Sequence, residues 1–218
     1  MCVNNAIIVC ERQVTRLKQY DIADKVFHSL GEIAKRSDFL KAGLKEQDVN
    51  LLYKQGYIER VRYGYYKLAN NDAPKEEYIL ASLIKQGIVC VESALFHYGY
   101  SDFAPREWTI AVPYSFSRTV KVIREVVPVK AYYIQDKFYR LGETTGTFNS
   151  VTLPVYDRER TIRDCFKYRT KLDNEIFNKA VNAYVSDENK NLANLSKYAK
   201  EMGVYKKMMN VMEVLLNG

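Results

Sequence analysis

The chain has 218 residues, of which 47% are hydrophobic and 27% are charged, a composition typical of one large folded domain or two small ones. This balance excludes a disordered or collagen-like chain. The longest apolar run covers residues 6–10, whereas a helix that crosses a bilayer needs roughly 20 apolar residues. The run also lacks the preceding basic segment of a signal peptide. We therefore expect a cytoplasmic protein with no membrane partner.

The charge is basic and is unevenly distributed along the chain. Lysine and arginine outnumber aspartate and glutamate by 33 to 26, which gives a formal net charge of +7. Residues 36–69 hold 7 basic and 4 acidic side chains and residues 157–218 hold 12 and 9, whereas residues 70–156 are balanced. A basic surplus favours a nucleic-acid partner, although many basic proteins bind none. The 4 cysteines include no CxxC pair and histidine occurs twice, so we expect neither a metal site nor a cofactor.

The first 69 residues show short helices followed by a hairpin. Apolar residues at positions 22, 23, 26, 27 and 30 form one face of a helix that Gly31 ends. A short strand over residues 32–36 comes next, and Ser37 is the predicted N-cap of a second helix. A third helix covers residues 45–55, and two β-prone runs on either side of a glycine-containing turn predict a hairpin. This order is typical of a winged helix-turn-helix.

The rest of the chain mixes strands and helices. A linker is predicted at residues 70–74, where Asn, Asp and Pro cluster. Beyond it the patterns predict a helix over residues 76–85, a short helix over 93–98, strands over 109–112, 131–134 and 150–155, and helices from residue 157 onward. The predicted fold class is therefore α+β. It combines an N-terminal winged helix-turn-helix over residues 1–69 with a mixed α/β domain over residues 75–218 that ends in a helical bundle.

The third helix of such a motif lies in the major groove of DNA, where its polar residues contact base edges. Asn and Gln pair with adenine and Lys reaches guanine, while basic residues of the hairpin contact phosphates. The predicted DNA-binding residues are Ser37, Lys45, Gln47, Asn50, Lys54, Arg60, Arg62, Tyr63 and Lys67. Glu46 and Asp48 lie on the same helix and would repel phosphate. Small winged-helix domains also mediate protein contacts, so a protein-docking module is an alternative interpretation.

Several segments, taken in order and with their spacing, resemble one family over nearly the whole chain. They are residues 31–44, 51–66, 92–99, 105–113, 155–165, 190–192 and 198–200. The family is that of the AbiEi-type antitoxins of type IV toxin–antitoxin systems, which serve bacterial abortive infection and phage defence. This chain departs from it at Lys45, where the third helix often has a Ser or Thr cap, and at Tyr63, where relatives carry a basic or small residue.

The resemblance implies a repressor that binds inverted repeats of operator DNA in its own promoter. It also implies an antitoxin that counteracts a nucleotidyltransferase toxin without forming a stable complex with it. The resemblance further implies that the C-terminal domain, residues 75–218, carries the antitoxin activity. Candidate residues for that surface are the basic side chains Arg118, Lys121, Arg124, Lys197 and Lys200, which also fit an ordinary solvated helix face.

A pair of acidic residues at the start of the C-terminal helices admits a second interpretation. Asp157 and Asp164 share one face of a helix, as acids that hold Mg²⁺ in a nuclease do. The structural interpretation is that Asp157 caps the helix while Arg160 and Asp164, one turn apart, form an ion pair. The sequence contains no phosphate-binding loop and no GxGxxG motif. We expect a protein that is not an enzyme, with a nuclease-like enzyme as the alternative.

Overall fold

The computed structural model describes residues 2–70, 75–84 and 86–217, and the chain divides into two compact units, Met1–Leu83 and Ile84–Gly218. The predicted mixed α+β class is observed, with a sheet in each unit and helices at the C-terminal end. Residues 71–74 of the predicted linker lie outside the described residues. The helix that follows them belongs to the first unit, although the sequence placed it in the second domain. Nowhere in the described part of the chain does a helix combine the length and apolar character needed to cross a bilayer.

The first unit packs helices against a small antiparallel sheet. Its elements are α1 (Cys2–Leu30), β1 (Ala34–Lys35), α2 (Arg36–Lys41), α3 (Glu46–Lys54), β2 (Ile58–Arg62), β3 (Tyr65–Leu68) and α4 (Glu76–Leu83). The strand order is β1-β3-β2. The core joins the second half of α1 to α2, α3 and the sheet through the buried side chains of Ala23, Val26, Phe27, Ala34, Phe39, Leu44, Val49, Leu52, Ile58 and Tyr66.

The start of α2 differs from the prediction. Ser37 is not the N-cap but lies inside the first turn, because the helix begins at Arg36 and its N-cap is Lys35. The carboxylate of Asp38 accepts a hydrogen bond from the Lys35 backbone amide at 2.9 Å. The Arg36 amide donates to the carbonyl oxygen of Gly64 at 2.8 Å. The free amides at this end are therefore satisfied by an acidic side chain three residues on and by the hairpin turn, without a serine cap.

The second unit has a mixed five-stranded sheet with the order β6-β5-β4-β8-β7. Its elements are β4 (Ile88–Val89), α5 (Val91–His97), β5 (Trp108–Pro113), α6 (Ser117–Ile123), β6 (Val129–Ile134), α7 (Asp136–Tyr139), β7 (Glu143–Phe148), β8 (Val151–Tyr156), α8 (Arg158–Lys167), α9 (Asn174–Ser186), α10 (Leu192–Glu201) and α11 (Tyr205–Asn217). Strands β5 and β6 run parallel, as do β4 and β8, while β4–β5 and β7–β8 are antiparallel. The predicted strands at 109–112, 131–134 and 150–155 are confirmed as β5, β6 and β8.

Candidate nucleic-acid interface

Helix α3 is amphipathic and presents a polar face to solvent. Val49 and Leu52 are buried in the core of the first unit, at 0% and 1% exposure. Their spacing of three residues turns the other side of the helix outward. The predicted base-reading residues Lys45, Gln47, Asn50 and Lys54 are all exposed, and Ser37 is exposed on the neighbouring helix α2.

Both acidic residues of α3 are paired within the first unit. Asp48 accepts hydrogen bonds from the backbone amide of Lys45 at 2.8 Å and from Nε2 of Gln19 at 2.7 Å. Glu46 lies 3.3 Å from the guanidinium of Arg36. Exposed ion pairs add little stability, but they offset charge locally. The repulsion that Glu46 would exert on a phosphate is therefore reduced, whereas the two donors to Asp48 are neutral amides and leave its charge in place.

Arg36 is a functional candidate that sequence analysis missed. Its Nη2 donates to Oδ1 of Asn50, and its Nη1 contacts Glu46. Its backbone amide is held by the Gly64 carbonyl in the hairpin turn. The residue thus connects α2, α3 and the hairpin. Sequence offered no signal for it, because contacts between separate elements leave no periodic pattern.

The register of the hairpin places Arg60 and Arg62 on opposite faces of the sheet. Arg60 pairs with Tyr66 and Arg62 pairs with Tyr65, and a β-bulge lies between Arg60 and Arg62. Paired residues point to the same face and successive residues of β3 point to opposite faces. We call the face of buried Tyr66 the inner face and the face of Tyr65 the outer face. Arg60 is therefore on the inner face, which packs on the helices, and Arg62 is on the outer face.

Arg60 connects the hairpin to α3 through aromatic rings. Its guanidinium carbon lies 4.7 Å from the ring centroid of Tyr53 on α3, 5.9 Å from that of Tyr66 and 6.0 Å from that of Tyr63. Tyr53 is 41% exposed and Tyr63, at the hairpin turn, is 81% exposed. Cation–π contacts of this kind hold an arginine in place without neutralising its charge. The Arg60 charge therefore stays available beside the polar face of α3.

The outer face carries a different set of basic residues. The side chains of Arg62 and Lys35 lie 5.4 Å and 5.5 Å from the ring centroid of Tyr65. Lys67 is 3.2 Å from Glu59 on the neighbouring strand and its side chain is 17% exposed. Of the predicted hairpin contacts, Lys67 is thus engaged in an ion pair and Arg62 faces away from Arg60.

The candidate antitoxin residues of the second unit are exposed. Arg118 and Lys121 lie on α6, and Arg124 lies directly after it. Arg124 also donates from Nε to the Val129 carbonyl at 2.9 Å. The two candidate residues on α10, Lys197 and Lys200, are exposed as well.

The charged residues in helix α8 and at its N-cap admit two interpretations, a structural cluster or a nuclease-like site. Asp157 caps the helix, since Oδ1 accepts from the Arg160 amide at 2.7 Å and Oδ2 from the Tyr198 hydroxyl at 2.9 Å. The predicted ion pair is confirmed, with Arg160 Nε 3.0 Å from Asp164 Oδ2. A second arginine that was not predicted, Arg163, places Nη1 2.5 Å from Asp164 Oδ1.

This charged cluster is buried and holds parts of the second unit together. Arg160 is 0% exposed, and Arg163 and Asp164 are each 1% exposed. Arg160 Nη1 donates to two backbone carbonyls at 2.8 and 2.7 Å, and Arg163 Nη2 donates to the Met202 carbonyl at 2.6 Å. Burial raises the pKa of Asp157 above its usual value, and its hydrogen bonds partly oppose the shift. Because both oxygens of Asp164 contact guanidinium groups, the geometry favours the structural interpretation over a Mg²⁺ site.

Among known proteins, the chain is similar in fold to a solved structure. No protein-family model and no curated protein matches the chain. The crystal structure of the RV2827C protein from Mycobacterium tuberculosis is similar, with a TM-score of 0.63 and 13% sequence identity. The match covers 93% of this chain and 76% of that one. At this level of identity the likeness concerns the fold alone.

Proposed function

We propose that residues 1–69 form a winged helix-turn-helix that binds duplex DNA, with α3 in the major groove and the β2–β3 hairpin as the wing. The observation that carries this proposal is the position of Arg60, whose guanidinium lies over Tyr53 of α3. The positive charge of Arg60, a residue of the proposed wing, thereby lies beside the exposed polar residues of α3. The ion pair between Glu46 and Arg36 supports the proposal further, because it offsets one of the two negative charges of α3 that would repel DNA.

The biological role that we propose follows from the AbiEi resemblance. The chain represses its own promoter by binding inverted repeats in operator DNA, and it acts as the antitoxin of a bacterial type IV system. It counteracts a nucleotidyltransferase toxin without a stable complex, carries out no catalysis and works in the cytoplasm. Two copies bound side by side on the repeats would satisfy the symmetry of such an operator.

Binding to the chain's own promoter tests the first part of the proposal. Replacing Arg60 and Arg62 together with alanine is expected to weaken operator binding and to reduce the slope of log K against log salt by about 0.9, the value of one lost phosphate contact, because Arg62 lies on the opposite face of the hairpin from Arg60. Fluorescence anisotropy of a labelled promoter duplex, read from 50 to 200 mM salt, measures both quantities.

A matched control separates a local contact from a general loss of charge. The variant Lys206→Ala with Lys207→Ala also removes two positive charges, from exposed positions of α11 in the second unit. It should bind the promoter as the unmodified chain does. Equal losses in the two double variants, or no loss in the hairpin variant, would contradict the wing assignment.

Growth on co-expression with the adjacent gene, which the proposal expects to encode a nucleotidyltransferase toxin, tests the second part. The unmodified chain is expected to restore growth. The variant Arg118→Glu with Lys121→Glu should lose that protection, because it reverses the charge of the exposed α6 face. The same variant should still bind the promoter, since the wing and α3 are unchanged. Full protection by this variant would place the antitoxin activity away from α6.

A further inference from the structure

The side-chain amide of Asn50 has a fixed orientation on the proposed reading helix. Its Oδ1 accepts a hydrogen bond from Nη2 of Arg36. The other end of the same guanidinium lies 3.3 Å from Glu46, one turn earlier on α3. The backbone of Arg36 is itself anchored by the Gly64 carbonyl at 2.8 Å. Arg36 is therefore held at its backbone and at two positions of its side chain.

The chemistry of the two groups decides which way the amide points. A guanidinium carries hydrogen-bond donors and no acceptor, so Arg36 can bind the oxygen of an amide but not its nitrogen. The Asn50 carbonyl is thus turned toward Arg36. The Nδ2 group, with its two N–H donors, is turned away from Arg36 on an exposed residue.

This orientation changes the base that Asn50 is suited to read. Bidentate pairing with adenine needs the amide oxygen to accept from N6 and the amide nitrogen to donate to N7. With its oxygen held by Arg36, Asn50 offers donors to the groove. Guanine presents two adjacent acceptors there, O6 and N7, whereas adenine presents N7 beside the N6 donor.

We propose that Arg36 is a positioning residue that fixes the Asn50 amide so that Asn50 selects guanine rather than the adenine that its residue type alone would predict. The proposal rests on the proposed function, because it assigns a base preference to the same helix. Arg36 acts through Asn50, and its contribution is a choice between bases rather than a gain in overall affinity.

Selection from a library of random duplexes tests the proposal with the full-length chain. The unmodified chain is expected to enrich a site that has guanine at one position. Asn50→Ala should show no base preference at that position. Anisotropy on two duplexes that differ at that base pair should then show about tenfold tighter binding to guanine than to adenine. The variant Arg36→Met removes the donors but keeps the backbone anchor, and it should lower this ratio to about one or invert it.

Two further variants keep the test independent of any folding defect in Arg36→Met. Asn50→Asp retains an acceptor for Arg36 but has no donor, so it should lose the guanine preference. Glu46→Gln weakens the other contact of Arg36 and should retain the preference. An unchanged ratio in Arg36→Met, or adenine selection by the unmodified chain, overturns the inference while leaving DNA binding intact. A library from which the unmodified chain enriches no sequence overturns the proposed function and the inference with it.

Discussion

Replacing Asp164 with alanine is expected to lower the free energy of unfolding of the second unit by about 3–5 kcal/mol, the cost of removing one partner from a buried ion pair. Asp164 is 1% exposed, and its two oxygens contact Arg160 at 3.0 Å and Arg163 at 2.5 Å. Among the described residues, Arg160 Nη2 and Arg163 Nε already have no hydrogen-bond partner. The substitution would add further unpaired donors and leave two positive charges without their shared carboxylate.

Urea unfolding followed by circular dichroism measures this loss. Glu188→Ala, which removes an exposed acidic residue from the same unit, provides the control and should change stability by no more than about 0.5 kcal/mol. Asp164→Asn keeps an acceptor oxygen and should fall between the two. A loss below about 1 kcal/mol in Asp164→Ala would show that the cluster does not stabilise the unit as its burial indicates.

The same series bears on the nuclease-like alternative. Asp164→Asn preserves the shape of the side chain and removes its charge. Under the structural interpretation, this variant changes the stability of the unit and leaves the proposed DNA binding unaltered. Metal-dependent cleavage of nucleic acid by the unmodified chain that is lost in a folded Asp164→Asn protein would instead favour the enzyme.

Local patterns in the sequence predicted the α8 cluster only in part. Asp157, Arg160 and Asp164 could be placed because a cap and an i,i+4 ion pair depend on spacing within one helix. Arg163 could not, since arginine is rarely buried and its partner Met202 is distant in the chain. Burial of an arginine is decided by the elements that pack around it.

The sequence patterns did not predict strands β4 and β7, because pairing with other strands, and not a pattern of their own, makes these segments strands. Strand β4 consists of Ile88 and Val89 alone, too short for a period to show, and it is a strand because β5 and β8 flank it. Strand β7 has few apolar residues and contains Gly146, yet it pairs with β8 along its whole length. Helix α1 begins at Cys2, whereas the apolar stripe predicted a helix over residues 22–30. Long-range pairing determines the two strands.

At the candidate interface, sequence could identify exposed polar residues but not their mutual arrangement. The spacing of Val49 and Leu52 predicts which side of α3 is exposed. Alternation in a regular strand would place Arg60 and Arg62 on one face, and the bulge between them reverses this. The bulge has no signature in the sequence of the hairpin. The two arginines are therefore equivalent by sequence and different by structure.

That difference predicts unequal effects of single substitutions on duplex binding. Arg60→Ala is expected to weaken operator binding by about tenfold, or about 1.4 kcal/mol, because Arg60 lies beside the polar face of α3. Arg62→Ala should weaken it by less than about threefold, since Arg62 lies over Tyr65 on the outer face. The salt slope should fall by about 0.9 in the first variant and stay nearly constant in the second.

The contact between Arg60 and Tyr53 allows a stricter version of the same test. If the ring holds the guanidinium toward the duplex, Tyr53→Leu should weaken binding on its own and have almost no further effect in the Arg60→Ala background. Anisotropy on the promoter duplex gives the four affinities of this double-mutant cycle. Additive losses would show that the ring does not position Arg60. A larger loss in Arg62→Ala than in Arg60→Ala would mean that the outer face of the hairpin, and not the side shared with α3, meets the DNA.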